Sequence, residues 1–246
     1  MMIKEPISTE DGSAPKFEST LVIAFPDVSM AGPRVLLSSS SQSTESNRHS
    51  ITAWSQYCTP PPSRKKKTTT TSTHKDNIPK IVYSASAAST NLGLLTVTVA
   101  PPTTEQASHL CEAIVSHARE SGTRYIIIVA ASNFTSQTSE TQIIQLHNAA
   151  SLPLKPVQNN VSLGDHILNT FLTLLTFSDI PTTILVQPAK KGSSIRDTKA
   201  VIENLTGALS AAVGSTNSHI FSASRAIAFD SFQREEEEAV ESMMYL

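Results

Sequence analysis

Near the middle of the chain stands the run Ile126-Ile127-Ile128-Val129-Ala130, within the segment RYIIIVAAS. Successive side chains of a strand point to opposite faces of its sheet, so a strand that is apolar at every position needs cover on both sides. Just before it, in TTEQASHLCEAIVSHARESG, Ala107, Leu110, Cys111, Ile114, Val115 and Ala118 recur at steps of three and four. That spacing lines them along one face of a helix, and Gly122 stands where such a helix would close. Ahead of the helix, LLTVTVA (Leu94 to Ala100) is rich in β-branched residues and stops at Pro101-Pro102. The order is strand, helix, strand, the unit that carries a chain between parallel strands. The expected fold class is a three-layer α/β/α domain with a mostly parallel central sheet.

The rest of the chain extends this theme. LVIAF (Leu21 to Phe25), closed by Pro26, reads as a buried strand, and RVLLS from Arg34 as a second one, with Gly32-Pro33 as the turn between them. SITAWSQYC, IVYSAS and TTILVQ (Thr182 to Gln187) also read as strands. SLGDHILNTFLTLLTFSD (Ser162 to Asp179) is a strongly apolar helix, expected to be buried. In the next helix Ile195, Ile202, Leu205, Leu209 and Val213 form one stripe. Three stretches lack any such period. Residues 1–18 read as a flexible tail, and 38–50 and 59–77 as disordered loops inside a single domain spanning 19–229. The second loop, TPPPSRKKKTTTTSTHKDN, has prolines that cannot continue a ladder and no apolar face to bury.

Composition agrees with loops that long and limits the function. Only 39% of the 246 residues are apolar and 16% charged, with serine and threonine filling the gap, and the net charge is −2. General attraction to nucleic acid or to a membrane surface therefore has no support. No apolar run is long enough to span a bilayer, and the N-terminus does not read as a signal peptide. Cys58 and Cys111 show no paired spacing, which argues against a disulfide framework or a zinc site. The expected setting is cytoplasmic, with nuclear entry open through the basic run Arg64-Lys65-Lys66-Lys67; the plainer reading of that run is a solvated loop.

Catalytic patterns are missing. No glycine-rich dinucleotide or phosphate loop, nucleophile elbow or paired-histidine zinc motif occurs. His166 beside Asp165 could be a catalytic pair, but a satisfied or solvent-facing residue at a helix start is the commoner explanation. Cys111 fits the apolar stripe, and His109, two residues away, would not face it. The expectation is a protein that is not an enzyme and needs no cofactor or metal. The alternative is an α/β enzyme of nucleoside phosphorylase-like or hydrolase-like type whose site would involve Asp165 and His166. A third reading is an adaptor that uses Arg64 to Lys67.

The carboxyl end is the most informative segment. It reads REEEEAVESMMYL, and Asp230 with Gln233 has the spacing of a capping box ahead of the glutamates. Residues 230–246 are expected to form an acidic helix and a docking tail ending in Met244-Tyr245-Leu246. A hydrophobic residue, a tyrosine, any residue and a free carboxylate resemble the tail that enters pockets between α-subunits of the 20S proteasome. With LVIAFPDVS and the unit from IVYSAS through RYIIIVAAS, this ending resembles the proteasome assembly chaperone family, most closely the fungal form of chaperone 1. The resemblance implies a heterodimer with a chaperone 2-like partner, acting on the 20S α-ring, with Met244, Tyr245 and Leu246 as the partner-binding residues. Glu235, Glu236, Glu237 and Glu238 could steer the tail to a basic rim, or simply form a solvated helix face.

Overall fold

The computed structural model describes residues 7–8, 15–28, 30–40, 48–59, 80–85, 91–134, 136, 138–158, 163–190, 194–214 and 217–228. Among these lie nine strands: β1 (Ile7–Ser8), β2 (Thr20–Ala24), β3 (Arg48–Ser50), β4 (Ile81–Ala85), β5 (Leu92–Val97), β6 (Tyr125–Ser132), β7 (Gln142–Leu146), β8 (Lys155–Pro156) and β9 (Thr182–Pro188). They form one sheet in the order β1-β3-β4-β5-β2-β6-β9-β7-β8. Its centre, β5-β2-β6-β9, is parallel throughout; β4 runs antiparallel to β3 and β5, and β7 antiparallel to β9.

The long helices are α1 (Ala31–Ser40), α2 (Thr104–Ser121), α3 (His166–Thr176) and α4 (Ile195–Val213). α2 and α3 cover one face of the sheet, and α1 and α4 cover the other. The three-layer α/β/α expectation is thus the observed architecture. The unit β5-α2-β6 does not join neighbouring strands, because β2 lies between its strands: Val22 stands opposite both Leu94 and Ile127. The isoleucine run divides as a strand must, with Ile126 and Ile128 facing α2 and α3 and Ile127 and Val129 facing α1 and α4.

Local chemistry explains the helix boundaries. Thr103 caps α2 by accepting from the Gln106 N–H at 3.2 Å, and Gly122 closes it in the left-handed region at φ 77°. Ser194 and Asp197 form a reciprocal capping box at the start of α4.

Several expectations are corrected. The residues read as a strand from Arg34 form helix α1. Gly32 and Pro33 suggested a turn, yet a proline in the first turn costs no hydrogen bond, since its N–H would lack a partner there anyway. Gly32 is needed for proximity: a Cβ on it would stand 2.6 Å from the Val129 carbonyl oxygen of β6. SITAWSQYC is not one strand; the chain leaves β3 at Ser50 and makes a 3-10 turn at Ser55–Cys58. Within the stretch read as a disordered loop over 38–50, residues 38–40 end α1 and 48–50 form β3. Within the N-terminal stretch read as a flexible tail, Ile7–Ser8 pairs with β3, and Phe17 is buried between Trp54, Tyr83 and His117. The Phe17 main-chain N–H donates to Ser121 Oγ and the Glu18 N–H to Tyr83 Oη, each at 3.1 Å, which secures this approach to β2. Finally, α3 buries only Leu168, Phe171 and Leu175, a single stripe, and Phe177 just beyond it is 81% exposed.

Candidate functional site

In open α/β sheets, ligands enter beyond the carboxyl ends of the parallel strands, often against a helix N-terminus. Here that position at β2 is filled from within. Asp27, three residues past the strand, accepts from the Ala31 N–H at 2.8 Å through Oδ1, and through Oδ2 from the Gly32 N–H at 3.0 Å and the Ala131 N–H at 2.8 Å. One carboxylate therefore satisfies the start of α1 and ties it to the end of β6. It also takes the place where an anionic ligand would sit. Sequence reading did not single out Asp27; its signal was an aspartate between a strand and a segment that was not recognised as a helix.

The pair Asp165–His166 lies beside a shallow cleft between the N-termini of α2 and α3, with Pro101, Thr103, Gly164 and Ile167 along its walls. Asp165 caps α3, its Oδ1 accepting from the Leu168 N–H at 2.9 Å. Burial raises its carboxyl above the ordinary range, opposed by the N–H groups of Leu168 and Ile167 and by nearby His166. The carboxylate is engaged in holding the helix start. The other side chains along the cleft that carry a hydroxyl or an imidazole are Thr103, Thr104 and His166.

Cys111 and His109 separate as α2 turns. Cys111 is fully buried against α3, and burial, helped by the charge of Asp165, drives its thiol well above the usual range. His109 lies on the solvent side, 3.8 Å from Glu105 and 4.0 Å from Glu112. Cys58 is buried as well, and desolvation pushes it up to about 11 against the lowering influence of Lys80. Both thiols belong to packed, unreactive positions. Among the described residues no group of three or more His, Cys, Asp or Glu side chains is placed to hold a metal ion, and no helix is long and apolar enough to cross a membrane.

The residues expected to bind a partner, Met244, Tyr245 and Leu246, lie outside the described residues, as do Glu235 to Glu238, the Asp230–Gln233 capping box and the basic run Arg64 to Lys67. What the structure gives is the root of the carboxyl segment. The last described helix spans 223–228, and Phe221 and Ala226 pack into the core shared by α1 and α4. Arg225 Nη2 donates to the Ile220 carbonyl at 2.8 Å and fastens the turn before that helix. The chain thus leaves for its end from an anchored point.

No family model matches this sequence, and no curated protein matches it. The fold has solved counterparts. The structure is similar to that of PbaA from Pyrococcus furiosus, described as an archaeal homolog of proteasome-assembly chaperone, with a TM-score of 0.54 and 14% identity, covering 94% of this chain and 91% of that one. A second crystal structure of PbaA matches at a TM-score of 0.53, also with 14% identity, over 93% of this chain and 97% of the other. A protein of unknown function from Thermoplasma acidophilum matches at 0.54 with 10% identity, over 96% and 91%. What is shared is the fold. It extends over nearly the whole of each chain, so these likenesses do not stop at a common βαβ unit.

Proposed function

We propose that this protein is a chaperone of 20S proteasome assembly that works by binding, without catalysis, cofactor or metal. The observation that carries the reading is the likeness in fold to PbaA, an archaeal homolog of proteasome-assembly chaperone, across 94% of the chain. The ending Met244-Tyr245-Leu246 supports it independently. Capture of a free carboxylate is a recurring recognition mode, and a lysine ammonium in the receiving pocket would pair with it. Tyr245 offers a rigid ring for an apolar cleft with one hydroxyl to bond, and Met244 adapts to an imperfect wall.

The chain acts as a heterodimer with a chaperone 2-like partner on the outer face of the α-ring, in the cytoplasm or nucleus. A tripeptide alone binds weakly because immobilising its backbone and side chains costs free energy. Two tails on one heterodimer raise the effective concentration of the second and make the contact useful. The 18 residues 229–246 span at most about 60 Å when fully extended, ample to reach from an anchored root into a pocket. The internal carboxylate of Asp27 at the usual ligand position, and the use of Asp165 as a helix cap, support binding over turnover.

Deletion of Met244 to Leu246 tests the proposal. The truncated protein is expected to keep its circular dichroism and its partner chain, and to lose co-purification with 20S α-rings. Undiminished co-purification would overturn tail insertion. Turnover of a nucleoside or ester that disappears in His166→Ala would overturn the binding-protein reading as a whole.

A further inference from the structure

The donors around Asp27 come from two separate elements. Ala31 and Gly32 belong to the first turn of α1, whereas Ala131 belongs to β6 and stands 104 residues from Asp27 in the chain. The pairing of β2 with β6 ends at Ala24 opposite Val129. The Ala131 N–H therefore points past the end of β2, where no strand receives it. Ala31, Gly32 and Ala131 are buried, so their N–H groups depend on whatever is seated among them, while Asp27 itself is half-buried and leaves the place within reach of solvent.

Gly32 completes this cradle. A Cβ there would crowd the seated oxygen, at 3.2 Å from Asp27 Oδ2, as well as the Val129 carbonyl. The group that occupies the cradle is seen in place: a flat, negatively charged carboxylate, with one oxygen taking one N–H and the other taking two. The positive end of the α1 dipole favours that charge, and hydrogen bonds to an ionised acceptor are the stronger kind. A neutral amide has a single acceptor oxygen and serves three donors less well.

We propose that α1 and β6 form a carboxylate-binding site in which Asp27 is a tethered ligand, so that a free small carboxylate takes the same place once the side chain is cut back. In the intact chain the tether holds the ligand at an effective concentration that free anions do not match, and the site stays closed to them. Size sets which anion fits. Asp27→Ala removes the carboxylate group alone and leaves room for formate. Asp27→Gly removes the whole side chain and leaves room for acetate. The inference rests on the geometry of α1 and β6 and does not depend on the proteasome reading.

Urea unfolding of the full-length variants in sodium formate or acetate tests this, with sodium chloride holding the ionic strength constant. The range is from about 1 to about 200 mM, because a ligand of three or four heavy atoms binds weakly. The Asp27→Ala midpoint is expected to rise with formate; at about ten times its dissociation constant the anion raises the folded-to-unfolded ratio about elevenfold. Acetate should restore Asp27→Gly more than Asp27→Ala, where its methyl meets the alanine Cβ. Wild type and Asp27→Asn, in which a side chain still fills the cradle, should not respond. Neither should Asp165→Ala, cut back at a helix start whose donors, Ile167 and Leu168, belong to one helix. If Asp27→Ala is unfolded in chloride, its refolding in formate, read by circular dichroism, is the same expected result. No response of the alanine variant to formate and of the glycine variant to acetate, or an equal response from wild type or Asp165→Ala, overturns the proposal.

Discussion

The two faces of the sheet are built from different materials. On the α1/α4 side the core is aliphatic and small, with Ala24, Ala31, Ala131, Ala189, Ala208 and Ala226 between the larger residues and Phe221 as its buried aromatic residue. On the α2/α3 side it is aromatic, with Phe17, Phe25, Trp54, Tyr83 and Phe171, and it holds both cysteines. All the ring contacts among the described residues belong to this side, including the stacked pair Phe25–Phe171 with centroids 5.6 Å apart. Small side chains let α1 settle until Gly32 approaches the backbone of β6. Large rings hold their helices by filling volume, and they leave part of α3 outside. The close-packed face is fixed by backbone proximity, and the aromatic face by side-chain bulk.

That difference predicts how each side fails. The largest effect is expected from Phe171→Ala, which empties a buried ring position and should cost about 3–5 kcal/mol, read as a lower urea midpoint with an unchanged slope. Gly32→Ala tests the other face by adding rather than removing volume. Its new methyl would meet the Val129 carbonyl at 2.6 Å, and overpacking of this kind costs about 1–3 kcal/mol. If Gly32→Ala proved silent while Phe171→Ala was severe, the idea of backbone-limited packing would be wrong.

Asp27→Ala comes next, at about 2 kcal/mol, since three main-chain donors lose their acceptor. The equivalent change on the aromatic side, Asp165→Ala, removes one such bond and should cost about 1 kcal/mol, whereas Asp165→Asn should be close to neutral because asparagine caps equally well and carries no charge to bury. The smallest effect is the alkaline one. Cys58 is held up to about 11 in the folded chain, so below its unfolded value near 9 its contribution to stability is complete. As pH rises from there through 11 the unfolded chain releases its proton first, and stability declines. Cys111 and Tyr83, raised in the same direction, add to that decline. A thermal-melt series from neutral to alkaline pH should fall more steeply for wild type than for Cys58→Ala.

Periodicity made much of this legible in advance. The helix face from Ala107 to Ala118, the close at Gly122 and the two-sided apolar strand at Ile126 to Ala130 each follow from where side chains must point, whatever surrounds them. So does the stripe of Ile202, Leu205 and Leu209 on α4. α1 was not legible, because Gly32, Pro33 and three serines give no helical period, and its start depends on a carboxylate that only the folded chain brings to it. The place of Phe17 was hidden for the same reason: the ring finds Trp54 and His117 only once β2 and α2 are side by side.

Local pattern therefore determined the strongly periodic elements, such as α2, α4 and β6, and which side of each is apolar, since those follow from bond geometry along a few residues. The strand order, with β2 inserted between β5 and β6, was decided by tertiary structure, as was how deeply each apolar residue of α3 is covered: Leu168, Phe171 and Leu175 fully, Ile167 and Leu174 in part, and Phe177 just beyond the helix hardly at all. Neighbours in space are chosen by the packing of segments far apart in the chain, and no short window of sequence contains that choice.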